Sequence, residues 1–175
     1  QSTLLPMLII ALPMILHKID ISPIFKVIGI SYITFRTIQA MVDSHNYGKL
    51  SFIEFTSFLL FPTTLLAGPI DRSYRFQEDL QKGYENLTFT NIGKGWDILL
   101  VGVLFKFIFA EFVNKFWLST IDENSIVLFD MVNSAYAYTT YLFFDFAGYS
   151  AMAVGLSIMM GIYVPMNFNH PYLAP

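Results

Sequence analysis

Residues Tyr141–Gly155 read YLFFDFAGYSAMAVG, and the reading of Asp145, a lone carboxylate between Phe144 and Phe146, decides the fold. An ionised group in hydrocarbon is costly, so such a residue either lies at a surface or is held in place for a task. The apolar run around it, Ile126 to Pro165, would extend about 60 Å as one helix, twice the thickness of a bilayer core. The run is therefore expected to fold back, with the break at Asp145–Gly148. Asp145 then either caps the helix beginning near Ala147, its oxygen accepting from exposed N–H groups, or serves a function.

Composition favours lipid as the solvent. Of 175 residues, 55% are hydrophobic and only 13% charged, where soluble domains carry about 25% charge. A net charge of -3 without a Lys/Arg cluster lacks the electrostatic footprint that nucleic acid requires. Zero cysteines exclude disulfides, thiolate metal sites and a cysteine nucleophile. The chain opens at Gln1 without the basic start of a signal peptide and stops at NHPYLAP, which reads as an internal piece of a longer polytopic protein.

Outward from Asp145 the pattern is helical throughout. Leu4–Leu16, with Pro6 and Pro13, is too short to span and reads as the tail of a truncated segment. Ile24–Val42 is long enough, and Arg36, Gln39 and Asp43 fall on one face, which either merely turns toward neighbouring helices or headgroups or has a direct substrate role. Phe52–Gly68 is a second apolar run that Pro62 kinks or makes re-entrant, with Thr63 and Thr64 compensating the lost donor. The polar stretch from Pro69 to Gly95 reads as the longest soluble connection. It carries Arg72, Arg75, Lys82 and Lys94, whereas Ser119–Ser125 carries Asp122 and Glu123, so the longer loop is expected to be cytoplasmic.

Trp96–Leu118 reads as a span with Trp96 and Trp117 near its ends, where indoles favour the interface. Lys106 near its centre either snorkels or pairs with an acid on another helix, while Glu111 and Lys115 are spaced to pair on one face. Gly148, Gly155 and Gly161, with Ala151, Ala153 and Ser157, are small residues of the kind that let membrane helices approach closely. The expected fold is all-α, a polytopic transmembrane helical bundle forming one membrane-embedded domain over residues 1–175.

The chemistry-bearing residues are few. His17, His45 and His170 form no HExxH spacing, and neither a GxxxxGK[ST] loop nor a GxSxG elbow occurs. Metal hydrolase, nucleotide-binding and serine hydrolase readings have no support. A transporter or channel stays open, since it too places charges such as Lys106, Asp130 and Asp145 in the membrane.

Three ordered blocks go further: SYITFRTIQAMVD (Ser31–Asp43), FLLFPTTLLAGPIDRSYRF (Phe58–Phe76), and YLFFDFAGYSAMAVGLSIMMGI followed by P-NFN-PYL (Tyr141–Leu173). Together they resemble the membrane-bound O-acyltransferase superfamily, from about Ile28 to Leu173. Asp71-Arg72 after Gly68-Pro69, and Phe143-Phe144-Asp145, resemble its teichoic acid D-alanylation branch. Alginate O-acetylases share the general Gly-Pro, Asp-Phe-x-Gly-Tyr-Ser and Asn-Phe-Asn pattern.

The resemblance implies helices around a tunnel in which a D-alanyl group leaves a thioester for an acceptor hydroxyl, in a bacterial cell membrane protein of many passes. The thioester sulfur would belong to the 4'-phosphopantetheine arm of a D-alanyl carrier protein, with no cofactor bound directly. Teichoic acid or a membrane relay protein would be the acceptor. The general-base histidine of the family would lie beyond Pro175, so no catalytic residue is expected here and His170 is a loop residue. The substrate-binding positions implied are Asp71, Arg72, Asp145, Tyr149, Asn167 and Asn169, with no metal ligand. Arg72 would either neutralise a phosphate or pair with Asp71 or nearby loops. Transfer of acetyl to an exported polysaccharide is the alternative reaction.

Overall fold

The computed structural model describes residues 30–65, 68–122 and 127–168, together with Ala11; Leu4–Leu16 otherwise lies outside them. Among the described residues all regular structure is helical. The elements are α1 (Ile30–Tyr47), α2 (Phe52–Leu59), α3 (Ser73–Lys82), α4 (Phe89–Val103), α5 (Ala110–Phe116) and α6 (Leu128–Met159). A π-helical turn, Leu104–Phe109, joins α4 to α5 without a break in the rod. The contacts divide the chain into two compact units, one running to Thr88 and including Gly161–Pro165, the other formed by Phe89–Met160 and the residues from Met166 on.

In the first unit, local chemistry sets the helix limits. Ser51 opens α2 with a capping box: its hydroxyl accepts from the Glu54 N–H at 3.3 Å and its own N–H donates to the Glu54 carboxylate at 2.7 Å. Pro62 biases Phe61 to extended backbone, so the apolar run breaks after Leu60 into a short 3-10 turn, Pro62–Thr64. At eight residues α2 is about 12 Å long, too short to cross a bilayer alone.

The stretch read as a soluble connection turns out to hold α3, which is amphipathic. It buries Ser73, Phe76, Gln77 and Asp79 and leaves Glu78, Gln81 and Lys82 outside. The Phe76 ring meets Phe58 and Phe61 edge-on at 5.6 and 5.2 Å, in a core completed by Ala40, Ile162 and Val164. The 161–165 segment is tied to α3 by polar contacts: Tyr163 N–H donates to Asp79 at 2.8 Å, and Arg75 donates to the Tyr163 carbonyl at 3.1 Å.

The second unit corrects the expected hairpin. α6 is one unbroken helix of 32 residues, roughly 48 Å long, and Asp145 lies near its midpoint instead of at a break. Among the described residues it is the one helix long and apolar enough by itself to cross a membrane. Asp145 needs no surface, because Lys106 of the π turn donates to its carboxylate. Gly148 needs no break, because its missing side chain admits α4.

A Cβ on Gly148 would fall 2.7 Å from the Gly102 carbonyl oxygen, and one on Gly155 would fall 2.6 Å from that of Gly95. These pairs run in opposite directions along the chain, so α4 and α6 are antiparallel with their backbones nearly in contact, as small residues permit in membranes. Past Lys106 the seam continues through buried Ala110 and Val113. From Gly95 and Gly102 a seven-residue repeat would next present Phe109. The π turn adds one residue and presents Ala110 instead, leaving the Phe109 ring to stack on Phe144 at 5.5 Å.

Two smaller expectations also change. Gly161 is not a helix-packing glycine; it turns the chain after α6 with φ +80, a conformation suited to glycine. Glu111 and Lys115 form no ion pair, and the Lys115 ammonium sits 5.7 Å from the Phe116 ring centroid.

Candidate functional site

Each unit holds a polar centre inside apolar surroundings. In the first, α1 presents Tyr32, Arg36, Gln39 and Asp43 along one side. The Tyr32 hydroxyl donates to the Pro69 carbonyl at 3.2 Å. Arg36, 2% exposed, donates to both the carbonyl and the hydroxyl of Thr64 at 2.8 Å and to the Phe58 carbonyl. Its guanidinium also lies 4.3 Å from the Phe58 ring centroid. One cation thus satisfies carbonyls at the end of α2 and in the turn that follows it, groups a helix terminus leaves without partners.

Asp43, 1% exposed, does the same for the start of α3. One carboxylate oxygen accepts from the Ser73 N–H at 2.8 Å and the Ser73 hydroxyl at 3.2 Å. The other accepts from Gln39 at 2.9 Å and Arg72 at 3.3 Å. α3 has no side-chain cap of its own, so a carboxylate from another helix supplies it. The face expected on α1 is therefore turned toward neighbouring elements.

Asp71 and Arg72 do not pair through their side chains, as the sequence had left open. The Asp71 carboxylate accepts the Arg72 backbone N–H and pairs with Arg75, both at 2.8 Å. Its second oxygen is buried without a partner. The Arg72 guanidinium turns to Asp43 and keeps 57% of its side chain exposed, which leaves donors free for an incoming anion.

Burial pushes the Asp71 carboxyl above its ordinary value, against the lowering effect of the Arg72 N–H and Arg75. An acid raised on folding binds its proton more tightly in the folded state. Stability therefore rises as pH falls through the folded value and levels off below about pH 4, the unfolded one. Asp71→Asn is expected to remove that rise. Unfolding midpoints of the full-length protein across this pH range check it, and an unchanged slope contradicts it.

In the second unit the centre is the Lys106–Asp145 pair, with 27% and 34% of the two side chains exposed. The rings of Phe105, Phe109 and Phe144 cluster beside it at centroid distances of 5.4 to 5.9 Å. Phe143 and Phe146 extend the aromatic surface to Phe168, each at 5.6 Å. Low-dielectric surroundings of this kind strengthen an ion pair and raise the cost of removing one partner.

Of the residues singled out from sequence, Asp71 and Arg72 belong to the first unit, and Asp145, Tyr149 and Asn167 to the second. Tyr149, half-buried, stands one helical turn after Asp145 on the same face, while Asn167 is exposed. Asn169, His17 and His170 lie outside the described residues, and His45 is exposed at the end of α1. Sequence reasoning did not single out Lys106 and Asp43 as site residues. The signal for Lys106 was present: Gly95 and Gly102 are seven apart, as are Gly148 and Gly155, and antiparallel matching of the two pairs brings residue 106 opposite Phe144, one position from Asp145.

No family model matches the chain. The chain is 36% identical over 157 residues to the teichoic acid D-alanyltransferase of Lacticaseibacillus rhamnosus, covering 83% of this chain and 39% of that protein. It is 38% identical over 158 residues to the enzyme of the same name from Bacillus subtilis, with 84% and 38% covered. Against the probable alginate O-acetylase of Pseudomonas aeruginosa it is 32% identical over 152 residues, with 84% and 28% covered. The chain thus spans about two fifths of the length of the D-alanyltransferases it matches. On these identities, with the motif blocks in order, the chain belongs to the membrane-bound O-acyltransferase superfamily.

Proposed function

We propose that this chain is part of a multi-pass membrane acyltransferase that moves a D-alanyl group from a carrier-protein thioester to teichoic acid hydroxyls. The observation that carries the reading is the 36% and 38% identity to teichoic acid D-alanyltransferases over more than four fifths of the chain. The two units are then parts of one membrane-embedded domain, with α6 crossing the bilayer.

The donor arrives on the 4'-phosphopantetheine arm of a carrier protein. Teichoic acid, or a membrane protein that relays the group, accepts it. Arg72 suits a phosphate of donor or acceptor, because a half-free guanidinium anchored by Asp43 presents planar donors to phosphate oxygens. Asp71, Asp145, Tyr149, Asn167 and Asn169 are the remaining candidates for substrate contact. The proton on the acceptor hydroxyl requires a base within hydrogen-bond reach, and that group is assigned to the rest of the protein.

The 32% identity to alginate O-acetylase supports a second reading, acetyl transfer to an exported polysaccharide. Membranes holding the full-length protein separate the two when supplied with D-alanyl-loaded carrier protein or with an acetyl donor. Label is expected to reach teichoic acid from the D-alanyl carrier; label transferred only from the acetyl donor would remove the D-alanyl assignment.

A further inference from the structure

The Lys106–Asp145 pair is incomplete as it stands. The Lys106 ammonium has three donors and spends one on Asp145 Oδ1, and Asp145 Oδ2 has no hydrogen-bond partner among the described residues. Both side chains are about one third exposed, so the spare donors and the spare oxygen are reachable. In an apolar setting unfilled polar groups are costly, and they favour a ligand that fills both at once.

The backbones that carry the pair are also held at a fixed separation. Gly102–Gly148 contact lies one helical turn away on both helices, and the π turn fixes the Lys106 backbone against Gly148. The two free valences are therefore held side by side, an acceptor with negative charge next to a donor with positive charge.

We propose that Lys106 and Asp145 form a two-point receptor for an aminoacyl group. Asp145 Oδ2 accepts from the α-ammonium, and the Lys106 ammonium donates to the acyl carbonyl oxygen, which an aminoacyl ester or thioester carries on the adjacent carbon. An acetyl group has the carbonyl but no ammonium and fills half of the receptor. The inference rests on the acyl-transfer reading above and adds to it the feature by which the donor is chosen.

The test uses the full-length enzyme in membranes and carrier protein loaded with D-alanyl or with D-lactyl, in which a hydroxyl replaces the ammonium. Wild-type enzyme is expected to prefer D-alanyl by about tenfold or more, since a site built for a polar group rejects the analogue lacking it. Asp145→Asn is expected to lower D-alanyl transfer by a similar factor while D-lactyl transfer stays within about twofold, so that the preference collapses.

The double variant Lys106→Asp with Asp145→Lys re-forms the ion pair and controls for folding. It is expected to restore protein level and remain selectively defective for D-alanyl. Parallel loss with both donors in Asp145→Asn, or full recovery of D-alanyl transfer in the double variant, would overturn the receptor and leave a structural ion pair. A wild-type enzyme that transferred neither acyl group from the carrier would instead remove the acyl-transfer reading on which the receptor rests.

Discussion

Gly102→Leu is expected to lower the stability of the full-length protein by about 3 kcal/mol, at the upper end of the cost of overpacking. The added Cβ would meet the Gly148 carbonyl oxygen and the Met152 amide nitrogen, each at 2.7 Å. Both are backbone atoms, so no rotamer change relieves the clash and α4 must move away from α6. That motion also separates Lys106 from Asp145 and exposes an ion pair formed at close quarters.

Gly93 provides the control, since it lies in the same helix with no atom within 4 Å of its added Cβ. Gly93→Ala is expected to stabilise by up to about 1 kcal/mol, the gain in helix propensity. Thermal unfolding in detergent compares the two variants. Similar shifts would mean that the close approach of α4 and α6 contributes little.

Asp43→Ala is expected to cost about 3 kcal/mol, because bonds to a buried charge are worth more than neutral ones and its partners lose their acceptor together. The Ser73 N–H and hydroxyl are buried and have no other acceptor among the described residues, whereas Arg72, being exposed, recovers water. The start of α3 should come loose first. Limited proteolysis around Ile70–Ser73 and the unfolding midpoint check this, with exposed Glu78→Ala as the reference. A shift no larger than that of Glu78→Ala would show that α3 is held by Phe76 packing rather than by the carboxylate.

Much of the molecule is legible in one dimension. Helical composition follows from the apolar runs, and the break at Pro62 follows from backbone geometry that proline imposes locally. The inward face of α1 follows from the spacing of Arg36, Gln39 and Asp43. The paired glycines also encode how α4 and α6 dock, since their equal spacing allows one antiparallel register in which all four meet.

Other features were not legible, for identifiable reasons. The break expected at Asp145 assumed that a charge inside an apolar run must reach water. It reaches Lys106 instead, 39 residues away, and no local pattern reports a partner at that separation. The polar character of Ser73–Lys82 suggested a loop, although polar residues on the outer face of an amphipathic helix look much the same until Phe76 is seen inside the core.

By itself the sequence determined that the chain is helical, the solvent that suits it and the family it belongs to, because propensity, hydropathy and motif order are properties of neighbours along the chain. Only the tertiary structure decided what these charges do: Asp43 caps α3, Arg36 holds the end of α2, and Asp145 pairs with Lys106. The physical reason is that the energy of a charge depends on where its counter-charge lies in space. Chain order does not specify that position until the helices have packed.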